Sequence, residues 1–144
     1  MQRFKMIASI YLLLVKGGEI LLLRRCNTGY GDGKYSLPAG HVEEDEPLTE
    51  ALCREVKEEI AIILDPSDLR LVHAMHRREE DIRLDFFFTA KKWQGEPRNC
   101  ESDKCDDLRF FPLDCLPENT ISYIKAAVNA YQKGIFFSER GWSR

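Results

Sequence analysis

The sequence has no C-x-x-C pair, only three histidines, and no apolar run long enough to span a bilayer. Each shortage closes off a class of protein. Cys26, Cys53, Cys100, Cys105 and Cys115 are odd in number and sit in a chain large enough to fold without staples, so a disulfide framework is not expected. Cys100 and Cys105 lack the second Cys or His pair of a structural zinc site, and the cysteines fit a reduced, cytoplasmic setting. An excess of positive charge is also missing: 21 Lys and Arg against 24 Asp and Glu leave a net −3, which predicts no stable nucleic-acid binding. No repeat, low-complexity tract or Ser/Gly linker breaks the 144 residues, which read as a single domain over residues 1–144. Met6 to Val15 follows Arg3 and Lys5 like the core of a signal peptide, but no small-residue cleavage site comes after it. It is read as a buried strand instead, and no membrane association is expected.

Lys16-Gly17-Gly18-Glu19 makes a tight turn after that strand, and Ile20 to Leu23 returns from it. Asn27 to Gly33 carries three glycines and is an irregular loop. Lys34 to Leu37 re-enters the sheet, with Pro38-Ala39-Gly40 ending the strand. Leu48, Leu52, Val56 and Ile60 recur every four residues and predict a helix from about Pro47 to about Ile60 with one core-facing stripe. Leu69 to Met75 and Leu84 to Ala90 are two strands joined by a charged turn. The run Phe86-Phe87-Phe88 must send at least one aromatic away from the main core or into a cleft. Leu108 to Phe111 is a further strand. Ile121, Ile124, Val128 and Tyr131 predict a second amphipathic helix that Gly134 ends. Strands and helices mix without strict alternation, which favours an α/β fold with a mixed sheet sandwiched by helices.

The charge is unevenly placed. Between Glu43 and Glu59, seven Glu and one Asp face only Arg54 and Lys57, a local net of −6. Glu55, Glu58 and Glu59 stand at i, i+3 and i+4, so three carboxylates project from one side of the helix and raise one another's pKa. A hard divalent cation such as Mg²⁺ relieves that repulsion and bridges carboxylates to phosphate oxygens, whereas the plainer alternative is a solvated acidic face.

The wider pattern is Gly40, five residues, Glu46, seven residues, then Arg54-Glu55-Val56-Lys57-Glu58-Glu59-Ile60-Ala61-Ile62. It closely resembles the Nudix box, G-x5-E-x7-R-E-U-x-E-E-x-G-U with U aliphatic. Every charged position is filled across 23 residues. The one departure is Ala61 in place of the last Gly. A left-handed Ala costs roughly 1 kcal/mol, and a slightly altered connection after the helix is expected, with the carboxylates intact.

The resemblance implies a Nudix fold, an α/β/α sandwich with a mixed β-sheet, and a Nudix hydrolase. Such an enzyme uses Mg²⁺ or Mn²⁺ to cleave a nucleoside diphosphate linked to another moiety. By position, Glu55, Glu58, Glu59 and the Gly40 carbonyl would bind metal, Arg54 would orient the carboxylates, and Glu46 would be its structural partner. The general base stays open among Glu55, Glu59 and the loop carboxylates Glu101, Asp106 and Asp107, of which Asp107 is the strongest outside the box. Arg24, Arg25 and His41 are candidate substrate contacts, as are Tyr35, Phe86 and Phe88 for stacking on a base. Arg77, Arg78 and Tyr30 are weaker candidates.

The favoured substrate class is a nucleoside triphosphate cleaved to monophosphate and pyrophosphate, supported by the compact size without an obvious extra amino-terminal domain. Nucleotide sugars, ADP-ribose, dinucleotide polyphosphates and a non-catalytic nucleotide-binding regulator are the alternatives. A small-molecule nucleotide is the expected partner, and self-association as a homodimer is left open.

Overall fold

The computed structural model describes residues 1–143. Its strands are β1 (Ile7–Leu13), β2 (Val15–Lys16), β3 (Glu19–Arg25), β4 (Tyr35–Ser36), β5 (Ala39–His41), β6 (Leu69–Arg78), β7 (Ile82–Ala90), β8 (Cys105–Pro112) and β9 (Phe137–Arg140). Its helices are α1 (Leu48–Ile60) and α2 (Ser122–Gln132), with a single 3₁₀ turn over Pro66–Asp68. No helix among the described residues is long and apolar enough to cross a membrane.

The strands form two sheets, of which one is the mixed sheet expected. One is mixed, in the order β5-β1-β7-β6-β9, with β1 parallel to β7 and β6 parallel to β9. In the other, β3 pairs antiparallel with β2, β4 and β8. The run Met6 to Val15 serves both. It leaves the first sheet at Leu13 and, through Val15 pairing with Ile20, starts the second.

Side-chain alternation along β1 divides the core. Tyr11 and Leu13 face α2, joining Phe87, Met75, Ile124, Ala127 and Val128. Ile10, Leu12 and Leu14 face α1, joining Leu52, Val56, Ile60 and Phe88. The helices therefore cover opposite sides, as the α/β/α layering requires. The three consecutive phenylalanines follow the same rule. Phe87 stacks on Tyr11 with ring centroids 4.6 Å apart, while Phe86 and Phe88 pack toward α1. None of the three leaves the core for a cleft.

Two local expectations are corrected. The strand entered at Tyr35 stops before Pro38, but Ala39 and Gly40 are not loop: Ala39–His41 is a new strand that pairs antiparallel with Ser9–Tyr11 of β1. β9 had no periodic signal, being only four residues long. It is held by His73, whose ring nitrogens lie 2.7 Å from the Ile135 carbonyl oxygen and 2.8 Å from Ser138 Oγ.

Candidate active site

Helix α1 begins after Pro47, whose φ of −63° already suits a helix, and buries Ala51, Leu52, Val56 and Ile60. That burial sets the helix rotation and turns Glu55 and Glu59 toward β5. At Gly40 the fit leaves no room for a side chain: an ideal Cβ would lie 2.2 Å from Glu55 Cγ. Glu59 Oε1 accepts the Ala39 backbone N–H at 3.1 Å. Burial raises the pKa of the Glu55 carboxyl and pushes that of Glu59 up to about 8. Glu58 is more open, with 57% of its side chain exposed.

Arg54 ties the parts together. Its Nε and Nη2 donate to the two oxygens of Glu46 at 3.0 and 2.6 Å. Its Nη1 donates to Glu55 at 3.0 Å and lies 3.6 Å from Glu58. Nη2 also reaches the His41 carbonyl at 3.3 Å. Glu46 in turn accepts the Glu43 N–H, and the Arg54 bond holds its carboxyl below the usual range.

The helix stops at Ala61, which adopts the left-handed conformation at φ 60° and ψ 28° and donates its N–H to the Lys57 carbonyl. The expected altered connection does not occur: Ala takes the conformation that Gly would take, at a cost of roughly 1–2 kcal/mol. The segment after β7 closes this end, where Arg98 N–H reaches the Ile60 carbonyl at 2.9 Å and Cys100 N–H the Glu59 carbonyl at 3.0 Å.

That closure brings Glu101 to the site. Its charge adds to the forces that keep the Glu59 carboxyl protonated. Asp107 lies on β8 instead, where it accepts the Tyr35 hydroxyl and pairs with Arg109 Nε at 3.0 Å. Among the loop carboxylates Glu101, not Asp107, is the one placed against the box helix. Asp106 is taken up by Arg24 at 2.7 Å.

Beside β5 opens a cavity of about 370 Å³ lined by Ala39, Gly40, His41, Arg25, Tyr30 and residues from β1, β4, β6, β7 and α2. Of the candidate substrate contacts, Arg25 and His41 line this cavity. Arg24, Tyr35, Phe86 and Phe88 do not line it. Tyr35 is 3% and Phe88 5% exposed, so both rings are spent on core packing and offer no stacking face there.

Arg77, a weaker candidate from the sequence, lines the cavity with Tyr11 and Tyr123, and it is held by Asp85, which motif reading missed and which does not itself line the cavity. Asp85, with no exposed surface, accepts Arg77 Nε at 2.6 Å and the Tyr11 hydroxyl at 3.1 Å. Tyr123 is 3.1 Å from the Tyr11 hydroxyl and lies under the Arg77 guanidinium, 3.6 Å from ring centroid to Cζ. The available signal was an aspartate inside the apolar run Leu84 to Phe88, since a charge in a core strand requires a partner.

Gly40, Glu55, Glu58 and Glu59 offer carbonyl and carboxylate oxygens, the donor set of a hard divalent cation. As the side chains stand, no three His, Cys, Asp or Glu among the described residues gather closely enough to hold an ion. The half-buried Glu55 and Glu59, whose charged forms are disfavoured, nevertheless fit a cation chemically, because a positive ion would replace the solvation they have lost.

Comparison with known proteins agrees with this geometry. An ADP-ribose pyrophosphatase of Methanocaldococcus jannaschii is 30% identical over 114 residues, covering 78% of this chain and 66% of the relative. An NAD-capped RNA hydrolase NudC of Stutzerimonas stutzeri is 28% identical over 109 residues, 37% of its length. An 8-oxo-dGTP diphosphatase of Escherichia coli is 26% identical over 94 residues, covering 65% of this chain and 71% of the relative. The chain thus spans just under two thirds of the first relative and little over a third of the second. A MutT NUDIX hydrolase structure from Burkholderia pseudomallei superposes with a TM-score of 0.80 at 28% identity, covering 88% of this chain and 98% of that one. The NUDIX domain model matches residues 4–130, taking in the carboxylate helix seated on Gly40 and every strand but β9, and the chain belongs to the Nudix hydrolase family.

Proposed function

We propose that this chain is a metal-dependent pyrophosphohydrolase of nucleoside diphosphate-linked compounds, with nucleoside triphosphates cleaved to monophosphate and pyrophosphate as the favoured substrates. The observation that carries the reading is the seating of Glu55 and Glu59 against β5 at the edge of the cavity, with Arg54 holding Glu55 from the other side. Mg²⁺ or Mn²⁺ bound by Glu55, Glu58, Glu59 and the Gly40 carbonyl would neutralise phosphate charge and lower the pKa of water.

The chain's own groups supply the rest. Arg54 orients Glu55 and Glu58 through its anchor on Glu46. Arg25, its guanidinium held by the Tyr30 carbonyl and Thr28 Oγ1, presents a cation to the phosphate chain between the cavity and Glu59. The water proton goes to a carboxylate among Glu55, Glu59 and Glu101; loss of solvent, more than neighbouring charge, raises the proton affinity of Glu55 and Glu59. Asp107 is engaged by Tyr35 and Arg109, so the proton-accepting role falls to that group. The name of the Escherichia coli relative, an 8-oxo-dGTP diphosphatase 26% identical over 94 residues, supports the triphosphate reading.

A second reading, ADP-ribose or a nucleotide sugar, is favoured by the Methanocaldococcus relative at 30% identity.

The test is product analysis over a panel of nucleoside triphosphates, nucleotide sugars, ADP-ribose and dinucleotide polyphosphates with Mg²⁺ and with Mn²⁺. Triphosphates should give monophosphate and pyrophosphate. Cleavage of ADP-ribose or a nucleotide sugar at least about a hundredfold more efficiently than every triphosphate would overturn the substrate class. Glu58→Gln and Glu59→Gln should each lower turnover by several powers of ten in a folded protein, and full activity in both would overturn the metal assignment.

A further inference from the structure

The cavity beside β5 is built for more than phosphates. Its wall carries the buried Arg77 guanidinium and two buried serine hydroxyls, and the loop residue Tyr30 lines it as well. Ser36 is only 3% exposed and lines the cavity. Ser9, also 3% exposed, accepts a bond from Arg83 Nη1 at 3.3 Å. Hydroxyls in a cavity wall offer hydrogen bonds to a polar ligand that enters it.

Glu79 stands at the mouth, with 40% of its side chain exposed. From below, Arg77 Nη1 holds Glu79 Oε1 at 2.9 Å, and Arg77 is itself fixed by buried Asp85 and by the face of Tyr123. A carboxylate anchored this way is a preorganised acceptor with lone pairs still directed outward. Its other donor is the Tyr30 hydroxyl, 3.0 Å from Oε2. Tyr30 belongs to the loop between β3 and β4, where Asn27, Gly29, Gly31 and Gly33 all have positive φ. It is 45% exposed and can yield its place to a better donor.

We propose that Glu79 is the specificity-determining residue of this chain, accepting two parallel N–H bonds from the edge of a nucleobase that enters the cavity and displaces the Tyr30 hydroxyl. Arg77 and Asp85 are positioning residues for it. The chemistry selects among bases. A carboxylate with two free lone pairs is matched by a ring N–H beside an exocyclic amine, the guanine edge. Adenine sets a donor beside an acceptor, and uracil flanks its N–H with carbonyls. The inference rests on the nucleotide reading above and deepens it.

The test measures binding without turnover, so it stands apart from the hydrolysis assay. Metal-free ¹⁵N-labelled protein is titrated with GMP and with AMP. GMP should bind at least about tenfold more tightly than AMP, and the amides of Ser36 and Glu79 should shift. Glu79→Gln should erase the preference by weakening GMP alone. Tyr30→Phe should tighten GMP binding about two- to fivefold by removing the competing hydroxyl, a change that a purely structural tyrosine would not produce. Arg77→Lys should lower the GMP to AMP ratio while AMP affinity holds. Equal affinity for the two monophosphates, binding of neither at millimolar concentration, or wild-type GMP affinity in Glu79→Gln would overturn the proposal. Pyrophosphohydrolase activity absent from a protein that still shows the Glu79-dependent GMP preference would overturn the hydrolase reading and leave the site standing.

Discussion

Arg54 grips Glu46 with two hydrogen bonds, Nε at 3.0 Å and Nη2 at 2.6 Å, and so points its remaining nitrogen, Nη1, at Glu55. Two residues that are eight apart in sequence thereby fix a third that faces the cavity. A planar fork can do this and a single ammonium cannot. Arg54→Lys should therefore lower kcat by about 10- to 100-fold with little change in melting temperature, since the pair is partly exposed and surface ion pairs contribute little to stability. Steady-state kinetics beside thermal melts separate the two effects, and an unchanged kcat would remove Arg54 from the positioning role.

The placement of the loop carboxylates makes an asymmetric prediction. Glu101→Gln should reduce kcat substantially at neutral pH with KM held, because it removes a carboxylate beside Glu59 from the group that takes the water proton. Asp107→Asn should act on stability instead, by weakening the Tyr35 and Arg109 contacts. Comparing kcat, KM and denaturant midpoints for the two variants checks the order, and a larger kcat loss in Asp107→Asn would reverse the assignment.

Ala61→Gly should stabilise the protein slightly. Relief of the left-handed alanine gains roughly 1–2 kcal/mol, and the extra freedom of glycine in the unfolded chain removes about 0.4–1 kcal/mol of that. Activity should change less than about tenfold, because the residue shapes the backbone after the helix and is no ligand. Urea unfolding and a rate assay measure both, and a large activity gain would mean that the natural residue impairs the site.

Asp32 organises the loop that carries Tyr30, accepting the backbone N–H groups of Thr28 and Gly29 at 3.1 and 3.0 Å. The Thr28 hydroxyl, followed by those amides, lowers its pKa below the ordinary 3.8. A depressed carboxyl stabilises the fold above its unfolded pKa, and that contribution disappears as pH falls through the folded value. The melting-temperature advantage of wild type over Asp32→Asn should be constant near neutrality and shrink as pH drops below about 4. An advantage that persists undiminished in strong acid would show that ionisation of Asp32 is not its source.

How much of this was legible beforehand depends on the range of the interaction concerned. The stripe Leu48, Leu52, Val56 and Ile60 and the spacing of Glu55, Glu58 and Glu59 are local, because helical periodicity alone puts them on defined sides of α1. The pairing of Glu46 with Arg54 follows from the same proximity in the chain. The hairpin turn at Gly17-Gly18, the three-phenylalanine strand and the second amphipathic helix were equally readable. By itself, the sequence determined the element types, the two-sided core and the family.

Tertiary structure decided which side chains the substrate cavity received. Tyr35 and Phe88 have the chemistry to stack on a base, yet strand alternation and sheet pairing turned them into the two cores. Glu101 was drawn to Glu59 only because the segment after β7 folds back to satisfy the last carbonyls of α1. Arg77 and Asp85 are partners through the antiparallel register of β6 and β7, and Tyr11 joins them because β1 runs parallel beside β7. β9 exists only as a partner for β6, since four residues carry too little periodicity to announce a strand. Local patterns record what a residue prefers within a few neighbours, whereas a cavity wall is assembled from strands distant in the chain, and its composition is settled by register and packing.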